Sequence, residues 1–104
     1  MLYVAIGRNV EDAPMGEDTW IQFQESVENV VMMGENLPYA DTRAEGESNF
    51  DNMPEETYVF VWFDKNSDLK QDTKDALAGL AGLFGQESIA YSVSVTNFIE
   101  RVGA

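Results

Sequence analysis

The side chains that most often do chemistry near neutral pH are missing from this chain. It has no cysteine and no histidine. That removes thiolate and imidazole nucleophiles, the commonest general base and the commonest metal ligand. What remains is carboxylate. Asp64, Asn66 and Asp68 stand at the 1-3-5 spacing of a calcium loop, but Leu69 takes the sixth position, where that loop needs glycine, and Asp75 the twelfth, where it needs glutamate. The run reads as a turn that caps a helix. The glycine-rich stretch from Gly79 to Gly85 lacks the Lys and Ser or Thr that complete a phosphate loop. No two carboxylates share an apolar setting that would raise a pKa into the working range. A serine–lysine pair is formally open and has no supporting pattern. These residues predict no catalytic group, no cofactor and no metal site, and the chain is expected not to be an enzyme.

Two other sets of residues are better suited to binding. Tyr58, Phe60 and Trp62 alternate along one face of the most apolar stretch, 56–64, with Val59, Val61 and Phe63 on the other. Glu45, Glu47, Asp51, Glu55 and Glu56 run through the hairpin that leads into it, and Glu11, Asp12, Glu17 and Asp18 crowd an earlier loop. Nineteen acids against six bases give a net charge of −13. Such a surface repels phosphate backbones and anionic lipid, so direct nucleic-acid and membrane contacts are not expected. A hydrophobic content of 44% is too high for a disordered acidic tail. The predicted partner-binding residues are therefore Tyr58, Phe60 and Trp62 as aromatic anchors, and Glu45, Glu47, Asp51 and Glu55 as a charged strip. They point to a protein partner with a basic surface. A second copy of the chain is a further partner, a homodimer formed through an uncovered sheet face or an edge strand.

The strip and the stripe need a sheet to carry them. Residues 1–7 alternate, with Leu2, Val4 and Ile6 against Tyr3 and Ala5, and predict a strand. Residues 10–17 read as an acidic loop. Trp20, Phe23, Val27, Val30 and Val31 recur at helical spacing. Thr19 and Gln22 are spaced as a capping box, and Gly34 with Pro38 marks the end of the helix. Residues 39–50 alternate weakly and read as a charged edge strand, with Gly46 marking a bulge. Residues 51–55 turn into the central strand, 56–64. Leu69, Thr73, Ala76, Leu77, Leu80, Leu83 and Phe84 form a second amphipathic helix closed by Gly85. Residues 89–96 alternate as a last strand, and 98–102 add a short turn.

The order β-α-β-β-α-β, with right-handed crossovers, predicts one domain over residues 1–104. It resembles the ferredoxin-like fold: a four-stranded antiparallel sheet, the first and third strands central, two helices on one face. The resemblance implies shape and leaves function open. The opening Tyr3-Val4-Ala5-Ile6-Gly7-Arg8-Asn9, followed by Met15, Trp20 and Phe23, also looks like short bacteriophage accessory proteins. That likeness implies a host-takeover role in the host cytoplasm. The absence of cysteine and of any apolar run of membrane length fits a cytoplasmic place. The leading expectation is a non-enzymatic acidic inhibitor that occupies a protein partner, by imitating nucleic acid. The alternative is a small-ligand-binding domain or enzyme of ferredoxin-like fold.

Overall fold

The computed structural model describes residues 1–50 and 53–103 of the 104-residue chain, apart from the Phe50 side chain. The elements run β1 (Leu2–Gly7), β2 (Asn9–Val10), β3 (Ala13–Pro14), α1 (Glu17–Glu35), β4 (Thr42–Phe50), β5 (Met53–Trp62), α2 (Gln71–Leu83) and β6 (Ala90–Val93). Four of these strands form an antiparallel sheet in the order β4-β5-β1-β6, with the two helices on one face. This is the ferredoxin-like α+β arrangement, and its two central strands are the ones the apolar alternation predicts. The early acidic loop carries a small hairpin, β2 with β3, whose turn places Glu11 at φ 55°.

Register decides which side chains face the helices. Leu2 pairs with Trp62, Val4 with Phe60 and Ile6 with Tyr58. Paired residues of an antiparallel ladder share a face, so the Leu-Val-Ile side of β1 and the aromatic side of β5 point together into the core. Phe60 and Trp62 are each 1% exposed, beneath Trp20, Phe23, Val27 and Val31 of α1. This corrects the expectation of an uncovered aromatic face. The large rings fill the deep space between sheet and helices, and Tyr3, Ala5, Val59 and Val61 take the opposite side, where Val61 is still largely covered. The register from β4 to β5 is continuous through Gly46, which pairs with Thr57, so no bulge forms there.

The helix ends differ from the expected caps. α1 begins after Gly16 with no side-chain cap bond, and the Thr19–Gln22 box does not form. The helix passes through Gly34 and stops at Asn36, which adopts the left-handed conformation. Gly34 is instead a contact point, because a Cβ there would overlap the Thr73 hydroxyl of α2. At the far end of α2, Gly85 at φ 71° closes the helix as predicted.

The start of α2 is capped from another element. The Glu35 carboxylate, its side chain fully buried, accepts from the Lys70 backbone N–H at 3.0 Å and from the Thr73 hydroxyl. Its other oxygen lies 2.9 Å from the Lys65 ammonium, an ion pair rather than a well-aligned hydrogen bond. Burial pushes this carboxyl up, but Thr73, Lys65 and Lys70 together hold it below its ordinary value. Removing the carboxylate strands a largely buried lysine, so Glu35→Ala should lower stability by roughly 3 kcal/mol, read from the urea midpoint. A depressed pKa contributes stability above the ordinary value of 4.5 and loses it as pH falls below. The native midpoint should therefore drop on acidification through that range, and the variant should lack that component.

Candidate functional site

The residues singled out by sequence separate into three environments. Phe60 and Trp62 belong to the core, and the Trp62 indole N–H donates to the Pro38 carbonyl at 2.9 Å. Tyr58 is half-buried, edge-on to Trp20 with ring centroids 6.5 Å apart. A partner cannot reach Phe60 or Trp62, which corrects their assignment as docking anchors. Glu55 is spent inside the chain: its carboxylate accepts from the Asn9 backbone N–H at 2.8 Å and fills the space over Gly7. Glu45 and Glu47 are exposed on edge strand β4, opposite Tyr58 and Glu56. Asp51 lies outside the described residues.

The neighbours of that strip are held by ion pairs. Arg8 binds Glu56 at 2.8 Å and Glu17 at 3.1 Å, and its Nε donates to the Met15 carbonyl. Arg43 bridges to Glu28 through two nitrogens, and the same carboxylate accepts from the Ala40 N–H. These contacts tie the small hairpin and the start of β4 to the body of the fold. They leave Glu45 without an ion-pair partner among the described residues.

The concave surface lies elsewhere, where β5 runs out. The Phe63 N–H donates to Asp41 at 2.7 Å, which turns the chain off the sheet and leaves the Phe63 ring half-exposed. Lys65 is drawn inward to Glu35. Asn66 is fixed by the Met1 nitrogen, which donates to its side-chain oxygen at 2.8 Å and to the Ser94 carbonyl at 2.7 Å. Between this loop and the segment after β6 lies a cleft of about 570 Å³, lined chiefly by Phe63, Asp64, Asn66, Val95, Thr96 and Phe98. That size suits a small organic molecule. Phe63 and Phe98 offer ring faces, and Thr96 and Asn66 offer hydrogen bonds. Asp64 offers a carboxylate with no ion-pair partner among the described residues. Such a set suits a flat heteroaromatic group carrying a cationic centre. Sequence spacing flagged Asp64 and Asn66 as failed calcium ligands, and nothing in it joined them to Phe98, thirty-odd positions on.

A second hollow of about 450 Å³ separates α2 from β6, over Leu77, Ala81 and Ile89. On its rim Lys74 binds Asp68 at 3.0 Å, and the Tyr91 hydroxyl donates to the same carboxylate at 2.9 Å. Lys74 and Tyr91 hold the Asp68 carboxyl below its usual range, and Asp68 holds the Lys74 ammonium above its own. The trio closes its own charges and presents no free group to a ligand.

No family model and no curated protein matches this chain. Its fold does match solved structures. One is a phage SAM lyase in its apo state, 21% identical over 86% of this chain and 74% of that one, with a TM-score of 0.50. Another is a phage SAM lyase in complex with S-methyl-5'-thioadenosine, 14% identical over 86% and 75%, with a TM-score of 0.45. The likeness is one of fold, and it agrees with the expected likeness to phage proteins. It overturns the expectation of a non-enzymatic inhibitor acting by nucleic-acid mimicry, because the apo structure that shares this architecture is that of an enzyme named for a small molecule.

The corrected placement of the aromatic stripe has a direct consequence. Phe60→Ala and Trp62→Ala should each cost roughly 3–5 kcal/mol, as large-to-small changes in a filled core do. Exposed Glu45→Gln should stay within about 0.5 kcal/mol of the native protein. Urea denaturation of the three variants checks this ordering.

Proposed function

We propose that this protein binds and cleaves a sulfonium compound of the S-adenosylmethionine type, in the cleft at the end of β5. The observation that carries this reading is the pairing of aromatic faces with an unpaired carboxylate in that cleft, in a chain that shares its fold with a phage SAM lyase. The adenine ring would stack on Phe63 or Phe98. The sulfonium would lie against the other ring and Asp64, where cation–π and charge attraction add. Asn66 and Thr96 would take the polar groups of the substrate.

The chemistry asks little of histidine or cysteine. Breaking the bond between sulfur and the amino-acid side chain returns the electron pair to sulfur, and a neutral thioether leaves. The carbon fragment replaces the lost bond within itself, by releasing a proton or by bonding its own carboxylate oxygen. No water and no cofactor enters the balance. An apolar cleft favours such a step, because the charge that the aromatic walls desolvate is the charge that disappears on cleavage.

Incubation with S-adenosylmethionine, followed by chromatography and mass spectrometry, should convert it to S-methyl-5'-thioadenosine. Phe63→Ala and Asp64→Asn should each raise KM by roughly tenfold, the size of one cation–π or charge contact to the bound sulfonium. Glu45→Gln with Glu47→Gln should leave it within about twofold. Loss of turnover in that double variant, with the cleft variants unaffected, would move the site to β4. If the native protein neither consumes the compound nor gains thermal stability from it, the reading is wrong.

A further inference from the structure

We propose that residues 95–102 dock as a short amphipathic helix on the open sheet face of a second copy of the chain. Val95, Phe98, Ile99 and Val102 are 84%, 82%, 103% and 102% exposed. They stand at i, i+3, i+4 and i+7, the spacing of one helical face, and Thr96, Asn97, Glu100 and Arg101 fall on the other. Yet the segment has no regular structure up to the turn at Val102. An isolated helix this short is marginal in water and gains its stability from a surface to pack on.

The surface is present in the same molecule. On the side of the sheet away from the helices, β1 presents Tyr3 and Ala5 and β5 presents Val59, while Val61 is largely covered at 7% exposed. Across the ladders stand Ala44 of β4 and Ser92 of β6. The Glu55 carboxylate lies on this side too, over Gly7 at the far end where it accepts from the Asn9 N–H, so the centre of the face is free of charge in a chain of net charge −13. Segment 95–102 is also neutral, with one glutamate and one arginine. Two such chains repel each other everywhere except where both are free of net charge. The stripe and the sheet face are two surfaces that meet this condition, and one chain carries both halves of the joint. A helix of eight residues is about 12 Å long, and four strands span roughly 19 Å, so the face accommodates it.

Docking on its own sheet is disfavoured by the path of the chain. The Ser94 N–H donates to the Met1 carbonyl at 3.0 Å, which continues the line of β6 past the end of β1. Phe98 then lines the cleft with Phe63 at the end of the sheet, so docking on a second copy draws Val95 and Phe98 out of that cleft. Reaching the open face of the same copy needs a reversal just after Ser94, and the first turn comes only at Val102.

Sedimentation equilibrium in molar salt, where the charge is screened to about 3 Å, tests the inference together with far-UV circular dichroism at rising concentration. Native protein should associate, and helix signal should rise with the associated fraction. Phe98→Ser with Ile99→Ser should leave a monomer, and so should Ala44→Glu on the receiving face. Both should keep the native urea midpoint, because the altered side chains are exposed. A native monomer at high concentration would overturn the proposal. So would association that survives either variant, or helix signal independent of concentration, which would mean the segment folds on its own copy.

Discussion

The interlocking of aromatic rings between sheet and helices is the contact on which the rest of this fold depends. Tyr58, Phe60 and Trp62 run along β5 with centroids 5.1 Å and 6.1 Å apart. Trp20 meets Tyr58 edge-on, and Phe23 stacks on Phe84 just past α2 at 4.7 Å. Six rings thus link the central strand, the first helix and the end of the second. Because side chains alternate along a strand, sending the rings inward sends Val59 and Val61 outward in the same step. One packing choice therefore yields both a filled core and an outer face whose centre carries no charge. It also sets where β5 ends: Trp62 is the last ring of the ladder, and the chain beyond it is free to turn away and build one wall of the cleft.

The second constraint is electrostatic and joins the helices. Glu35 sits at the end of α1 and accepts from the Lys70 N–H just before α2 and from the Thr73 hydroxyl in its first turn, so a side chain of one helix stands in for the cap that the other lacks. Gly34 beside it lets Thr73 approach. Lys65, drawn to the same carboxylate, fixes the loop that leads out of β5. The clasp that holds the helices together is therefore also what positions Asp64 and Asn66, the residues on either side of Lys65. Core packing and cleft geometry share this residue, which couples the stability of the fold to the shape of its candidate site.

Element order was legible because strands and helices leave different apolar periods. Leu2, Val4 and Ile6 repeat at two, while Trp20, Phe23 and Val27 repeat at three and four. The face of β5 was not legible, because both of its sides are apolar. The tie is broken only by pairing with β1, a tertiary fact. The caps failed for the same reason: Thr19 and Asp68 have the right chemistry, but Gly16 and a glutamate from another helix hold those positions. The cleft was least legible. It is assembled from a loop at 63–66 and a segment at 95–98, and nothing local to either announces the other. Asp64 and Asn66, two apart after the most apolar strand, carry a local signal, but their spacing matches a calcium loop that lacks its glycine and glutamate and says nothing of Phe98.

The excess of acid then needs a different account from mimicry of nucleic acid. Four of the six basic side chains, Arg8, Arg43, Lys65 and Lys74, are bound to carboxylates. They lock loops and do little to soften the outward field. A cationic small molecule is drawn into such a field, and a neutral product is not held by it. Screening limits the reach of this effect, since at physiological salt a charge acts over about 8 Å. Only carboxylates close to the cleft, Asp64 first among them, can then bear on binding. Those on the hairpin and the early loop lie outside that range and act through solubility and mutual repulsion of copies. The net charge of −13 is thus two properties in one number: a local attraction at the end of β5, and a general repulsion that confines contact between molecules to their uncharged faces.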